Sequence, residues 1–291
     1  MSSRPVISIM MACFNRRQKT LECLRRLQLL ENEPNYVVDI WILDDGSTDG
    51  TAEAIEKAYP TVNVIRHAGG LYWNRAMHML FSHVRDLGRT SYYVWLNDDT
   101  MLHSSALRQL LSVAENNGGP IQQIIVVGAT MDSETKTVTY SAHRRISSWK
   151  TLKTAIVAPS LDVQKCDTFN GNFVLISNGA VSAIGVLDPF FEHGMGDLDY
   201  GLRARKARVL ILLAPGFVGT CSRNSTRGTF EDESLSLHGR WLAIKSPKGL
   251  PFKSWFRFTF RHGGIMAPIL FAWPYLRTVA SALKNKRIFA K

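Results

Sequence analysis

Apolar positions along the chain switch repeatedly between two spacings. Val6–Ala12 is an apolar run with β-branched residues, and Gln18–Leu30 follows with leucines at 21, 24, 27 and 30, which fall on one helical face. The first predicts a strand and the second a helix. Tyr36–Leu43 then predicts a strand, Thr48–Tyr59 a helix, Val62–Arg66 a strand, Tyr72–Leu87 a helix and Tyr92–Leu96 a strand. Strands alternating with helices imply a Rossmann-like α/β fold, a mostly parallel sheet with helices on both faces. Beyond residue 100 the pattern predicts a helix over Ser104–Asn116 and a strand over Ile124–Gly128. A strand pair follows around Val138–Tyr140 and Phe173–Ile176, then a helix over Asp197–Lys206 and a strand over Val209–Leu213. The pattern does not order these later strands.

In open sheets of this kind ligands sit beyond the carboxyl ends of the strands. The residues standing there are Asn15, Asp44-Asp45-Gly46, His67 and Asn97-Asp98-Asp99. Two adjacent carboxylates, Asp44 and Asp45, are costly at a strand end unless they bind something, whereas capping the next helix takes only Ser47 or Thr48. A carboxylate there can accept the imide N–H of uracil or thymine. Asn97-Asp98-Asp99 follows a strongly apolar strand, and hard cations such as Mg²⁺ and Mn²⁺ take one or two carboxylates together with substrate phosphates. Glu192, Asp197 and Asp199 gather around the start of a helix, where the helix dipole favours them and where one can serve as a general base toward a hydroxyl.

Composition changes this picture in one place. With 45% hydrophobic and 20% charged residues the chain is an ordinary globular one. The net charge of +11 suggests a nucleic-acid binder until its distribution is read. From Trp241 to Lys291 there are ten Lys or Arg and no acid, which leaves 25 basic against 24 acidic residues in 1–240. A basic stripe on the folded part is therefore not expected, and neither is a nucleic-acid partner. No GxGxxG follows the first strand, which disfavours a dinucleotide-dependent dehydrogenase. The four cysteines have no metal-ligand spacing and are expected to be reduced and structural. The N-terminus lacks a signal-peptide pattern, which predicts a cytoplasmic protein, and the sequon Asn224-Ser225-Thr226 reads as a chance match.

Taken together and in this order, the three acidic motifs resemble the family-2 glycosyltransferases, which have the GT-A fold, over roughly residues 5–240. The resemblance implies an inverting transfer from a UDP- or dTDP-sugar to a hydroxyl of a glycan or lipid-linked acceptor, of the bacterial glycan-assembly type, with divalent metal (Mg²⁺ or Mn²⁺) as cofactor. It places the nucleoside against Ala12, Phe14, Asn15 and Asp45, with Asn74, Arg75 and Asp98 also on the nucleotide. Trp73 and Asn172 fall at the sugar, Asp99 and His238 at the metal, and Asp197 in the place of the catalytic base. Two positions depart from the family pattern: Asn97 stands for the first acid of the DxD element and Gly196 for the Glu of the ED pair. The second departure leaves Glu192 and Asp199 as alternative bases. A nucleotidyltransferase acting on sugar phosphates is the alternative enzyme, but Cys13–Arg17 lacks the glycines of a phosphate-gripping loop.

The expected organisation is a catalytic domain over 1–240, divided near residue 100 into nucleotide-binding and acceptor halves, and a helical extension over 241–291. The extension mixes Trp255, Phe256, Phe258, Phe260, Trp273 and Tyr275 with Lys253, Arg257, Arg261 and Arg277. Its longest uncharged run, His262–Leu276, is shorter than the ~20 apolar residues a bilayer span requires and is interrupted by two prolines. This predicts a peripheral segment lying on an anionic membrane, on the inner face of the cell membrane, with packing on the catalytic domain or a homo-oligomer contact as the alternative.

Overall fold

A computed structural model of the chain describes residues 4–30, 33–147, 152–223 and 225–288, with side chains to residue 281; Asn224 of the sequon lies outside them. The first hundred residues follow the predicted alternation as β1 (Val6–Cys13), α1 (Arg17–Gln28), β2 (Val37–Asp44), α2 (Thr51–Ala58), β3 (Asn63–Arg66), α3 (Tyr72–Asp86) and β4 (Thr90–Leu96). Strands β1, β2, β3 and β4 pair in parallel, in the spatial order β4-β1-β2-β3. Successive residues of a strand point to opposite faces, and here both faces are covered. Ile7, Ile9 and Met11 share one core with Leu24 and Leu27 of α1 and Ile55 of α2. Met10, Tyr93 and Trp95 share the other with Met77 and Phe81 of α3.

Helix α2 starts three residues later than the sequence predicts. Neither Ser47 nor Thr48 caps it: the residue before it is Gly50 at φ 76°, and the Asp49 carboxylate accepts the Thr51 N–H. The Ser47 hydroxyl instead accepts the Asn15 N–H, so the loop is held against β1 before the helix begins.

The second half contributes β5 (Met101–Leu102), α4 (Ala106–Glu115), β6 (Ile124–Met131), β7 (Val138–Tyr140), β8 (Ala142–Arg145), β9 (Thr154–Ile156), β10 (Gln164–Lys165), β11 (Thr168–Phe169) and β12 (Phe173–Ser177). After it come α5 (Asn178–Ile184), α6 (Gly196–Lys206) and β13 (Leu210–Thr220). The main sheet runs β10-β13-β6-β12-β4-β1-β2-β3, and β12 lies antiparallel between β4 and β6. The expected pairing of Val138–Tyr140 with Phe173–Ile176 does not form. Phe173–Ile176 is fully buried and sits at the centre of the sheet, whereas β7 buries only Thr139 of its three residues and pairs with the end of β6. Strands β8, β9 and β11 make a separate small sheet.

The C-terminal segment is helical: α7 (Leu237–Lys245), α8 (Phe252–His262) and α9 (Ala267–Ile288). It is not set apart from the rest. The expected boundary at residue 240 falls inside α7, and Phe258 packs with Phe191, Met195 and Leu202 in a third apolar cluster. Polar contacts reinforce this. Asp199 in α6 is fully buried and accepts from Arg203 at 2.8 Å, Arg261 at 2.7 Å and His262 at 2.8 Å. Asp188 pairs with both Arg257 and Arg261. Two of the basic residues expected to face lipid are thus bound to the catalytic part. Among the described residues no helix is long and apolar enough to cross a membrane.

Candidate active site

A cavity of about 460 Å³ opens at the carboxyl ends of β1, β2 and β4. The loops around it are fixed by side chains that the sequence suggested as ligands. Asn15 sits at φ 50°, a left-handed conformation that Asn tolerates, and its amide oxygen accepts the Thr48 N–H at 2.8 Å. It rivets two strand-end loops together and does not line the cavity, unlike its neighbours Ala12 and Phe14. Phe14 is 54% exposed, a large aromatic face available at the rim.

The Asp45 carboxylate lines the cavity while accepting the backbone N–H groups of Leu71 and Tyr72, at 2.9 and 3.0 Å, and lying 3.3 Å from His67 Nδ1. Its bonds hold Tyr72 at φ 59°, a strained conformation for a bulky residue, and Tyr72 lines the cavity. Gly46 is required where these loops meet, because a Cβ there would approach the Gly69 backbone to 2.8 Å. Asp44 is spent locally on the Ser47 N–H.

At the end of β4 the Asn97-Asp98-Asp99 element divides its work. Asn97 faces the cavity and accepts the Trp73 indole N–H at 2.8 Å, which orients the Trp73 ring over Gly171; a Cβ at Gly171 would meet that ring at 2.8 Å. Asp98 is buried, and desolvation raises its pKa although the Arg16 guanidinium partly offsets this. Both Asp98 and Asp99 lie 2.9 Å from one nitrogen of Arg16. Among the described residues no group of three His, Cys, Asp or Glu is placed to hold a metal. Two carboxylates already bridged by one cationic nitrogen nevertheless suit a hard divalent ion that completes its shell from substrate phosphate and water.

The opposite wall comes from α6. Asp197 projects into the cavity with Oδ2 accepting the Gly171 N–H at 3.0 Å and Oδ1 the Leu198 N–H at 2.8 Å. Desolvation raises its pKa above the ordinary carboxylate value, against the pull of those N–H donors. The unexpected glycine beside it has a steric cause: a Cβ on Gly196 would collide with the Asn74 amide. Asn74 is itself buried and donates to the carbonyls of Asp188 and Phe191, so it anchors the 188–192 loop and does not reach the cavity. Arg75 likewise donates to the Pro189 carbonyl and pairs with Glu192 at 3.3 Å. Asp199 is sealed in its ion network, which removes it as an alternative base, and Glu192 faces Arg75. Asn172 lines the cavity, whereas His238 is exposed on α7 and does not.

Several lining residues carried no sequence signal. Arg16 and Tyr72 reach the cavity from the starts of α1 and α3, and Lys248 from the loop between α7 and α8. His193 also lines it, with a buried Nδ1 that has no partner among the described residues; burial, then Lys248 and Arg16, push its pKa down to about 4 and keep it neutral.

The sequence profile described as "Glycosyl transferase family 2" matches residues 8–176. A comparison with curated proteins finds no match. The fold is similar to that of GalNAc-T7 crystallised with UDP, GalNAc and Mn²⁺, with a TM-score of 0.60 and 14% identity over 76% of this chain. This chain spans 44% of that one. It is also similar to the mannosyltransferase PcManGT from Pyrobaculum calidifontis in complex with GDP-Man and Mn²⁺, with a TM-score of 0.57 and 15% identity over 99% of this chain and 76% of that one.

Proposed function

The chain belongs to glycosyl transferase family 2, and from that premise we propose that it is an inverting, metal-assisted transferase that moves a sugar from a UDP- or dTDP-sugar to a hydroxyl of a glycan or lipid-linked acceptor. One observation carries the reading. A single cavity joins an aromatic and acidic wall (Phe14, Asp45), a carboxylate pair (Asp98, Asp99) and a separate carboxylate (Asp197). The first suits a base and ribose, the second a metal-bound diphosphate and the third an attacking hydroxyl. Both solved relatives were captured with Mn²⁺ and a nucleotide or nucleotide-sugar, in line with this division.

In the proposed reaction Trp73 and Asn172 flank the donor sugar, and Asp197 takes the acceptor proton as its oxygen attacks the anomeric carbon from the face opposite the leaving diphosphate. A bound divalent cation supplies neutralisation of the charge that gathers on that diphosphate. Arg16 and Lys248, both in the cavity wall, add positive charge on the protein side. Neutral His193 offers a hydrogen-bonding atom to a substrate hydroxyl without contributing charge.

Metal dependence is testable by calorimetry with UDP. Asp99→Ala is expected to lose the metal-dependent part of nucleotide affinity while keeping the chelator-resistant part. Wild-type binding by this variant with and without chelator would remove the metal assignment.

Ile265, Ile269, Trp273 and Leu276 are 91, 60, 61 and 62% exposed and recur at helical spacing along α9 and its lead-in turn. Exposed Lys253 and Arg277 accompany this stripe. A stripe of this kind, with cations beside it, suits the interface of an anionic membrane, and it is proposed to hold the enzyme on the inner face of a bacterial cell membrane near a lipid-linked acceptor. Replacing Trp273 and Leu276 together by Ala is expected to weaken sedimentation with anionic vesicles on the order of a hundredfold, since burying each large apolar side chain is worth about 1.5–3 kcal/mol and about 1.4 kcal/mol is tenfold in affinity. Unchanged vesicle binding accompanied by a smaller oligomer in solution would assign the stripe to a second copy of the chain.

A further inference from the structure

Arg16 occupies an unusual position between the two acids of the Asn97-Asp98-Asp99 element. Each acid sets one oxygen against a buried protein donor and turns the other inward, toward Arg16. Asp98 Oδ2 accepts from the Thr20 hydroxyl at 3.2 Å, and Asp99 Oδ1 is 3.6 Å from the Cys221 thiol. Cys221 is itself buried. The inward oxygens, Asp98 Oδ1 and Asp99 Oδ2, converge on a single atom, Arg16 Nη1, at 2.9 Å each. One oxygen from each acid is thereby presented to one cation, and the chain supplies that cation from its own sequence.

Resting on the donor and metal reading above, we infer that Arg16 is a displaceable resident cation that keeps divalent metal off the acidic pair until a nucleoside diphosphate arrives. A metal ion and Nη1 compete for the same two oxygens and cannot both hold them. Removing Arg16 without replacement would strand a guanidinium beside the incoming ion, which is unfavourable. The donor's diphosphate removes that obstacle, because it offers Arg16 a second anion and the metal further oxygen ligands at the same moment. The side chain is free to make the exchange. It is 40% exposed, it starts at the first residue before α1, and its backbone carbonyl stays fixed by accepting the Thr20 N–H while the guanidinium moves.

Two consequences follow for binding. Metal and diphosphate bind with positive coupling, and the apo enzyme has low affinity for metal alone. In the absence of donor Arg16 also offsets one of the two negative charges of Asp98 and Asp99, which weakens the pull of the site on other cations.

The test is the affinity for Mn²⁺ alone, measured by electron paramagnetic resonance on nucleotide-free wild-type protein and on Arg16→Gln. The variant is expected to bind Mn²⁺ about tenfold more tightly than wild type, within the ordinary range of coupling between sites. In chelator, it is expected to bind UDP more weakly than wild type, because the guanidinium no longer meets the diphosphate. Arg16→Lys, which keeps the charge but presents it from a single flexible ammonium, should stay near wild type in the Mn²⁺ measurement. Equal or weaker Mn²⁺ binding by Arg16→Gln, with its thermal melt unchanged, overturns the gate. Failure of UDP to bind any of the proteins would count against the donor reading alone, since the Mn²⁺ comparison decides the gate by itself. Failure of Mn²⁺ to bind any of them, with or without UDP, overturns the gate together with the metal assignment.

Discussion

Asp197→Asn is expected to lower kcat by roughly 10²–10⁴-fold, the usual worth of a positioned general base, while the dissociation constant of the nucleotide-sugar donor stays within a few-fold of wild type. The amide keeps the size of the carboxylate and its oxygen can still accept the Gly171 N–H; the Leu198 N–H loses its acceptor, a local cost that leaves the wall of the cavity in place. What it loses is the capacity to take a proton. The pH profile gives a second reading of the same residue. Desolvation raises the Asp197 pKa, so the active, ionised form appears as pH rises through a value above that of an ordinary Asp, and kcat/KM should fall on the acid side at that raised value. His193 is held neutral down to about 4 and adds no limb near neutrality. An Asp197→Asn enzyme with full turnover and the wild-type acid limb would transfer the role to another group, of which Glu192 is the nearest remaining acid of the motif. An unfolded variant is distinguished by its melt and by loss of donor binding.

The parallel half of the sheet was legible because its signal is local. Each of β1, β2 and β4 is a short apolar run followed by polar residues, and α1 and α3 carry their core contacts at helical spacing, so period and punctuation alone define the elements. The position of β12 was not legible. Its burial on both faces is visible as a run of apolar residues, but whether such a run joins the sheet parallel or antiparallel, and beside which strand, depends on contacts far apart in sequence such as Val174 with Trp95 and Val127.

Within the site, the residue types that depend on fixed strand ends were readable, and their division of labour was not. Asp45, Asp98, Asp99 and Asp197 all line one cavity, as their places after strands and at a helix start suggested. Asn74 and Asn15, polar residues in the same stretches, turn to backbone groups instead, Asn74 to the carbonyls of Asp188 and Phe191 and Asn15 to the exposed Thr48 N–H. A buried amide and a ligand-facing amide look the same in sequence. The two departures from the family pattern illustrate the same limit: Asn97 is explained by the Trp73 indole and Gly196 by the Asn74 side chain, partners that only the folded chain brings near. Arg16 is adjacent in sequence to the first strand, and its relation to Asp98 becomes visible once β1 and β4 are known to be neighbours. Lys248 has no comparable clue, because it comes from a segment whose charge pointed toward a membrane.

Deleting residues 241–291 is expected to unfold the catalytic part rather than release it as a soluble enzyme. The deletion removes Arg261 and His262 together, and Asp199 then keeps only Arg203 in a fully buried setting. Burial by itself raises the pKa of Asp199; the His262 hydrogen bond and the charges of Arg203 and Arg261 overcome it and hold the group below the ordinary range. That lowered value is stabilising above the pKa of an unfolded Asp and is lost as pH falls through the folded value, so the network supports the fold throughout the neutral range. Breaking a buried ion network costs about 3–5 kcal/mol. Loss of Phe258 also exposes Phe191, Met195 and Leu202 to water. Against a total stability of about 5–15 kcal/mol for a typical domain, these losses take most of the margin. The full chain should therefore melt cooperatively, whereas residues 1–240 should be insoluble or melt without a cooperative transition. Arg261→Met separates the network from the apolar cover: it removes the guanidinium that pairs with Asp188 and Asp199 and leaves Phe258 in place, and its melting temperature should fall while the protein stays soluble. A truncated protein that melts within a few degrees of the full chain and binds UDP equally well would show that α8 and α9 rest on the catalytic part without holding it together, and the 1–240 boundary would then stand as first drawn from the sequence.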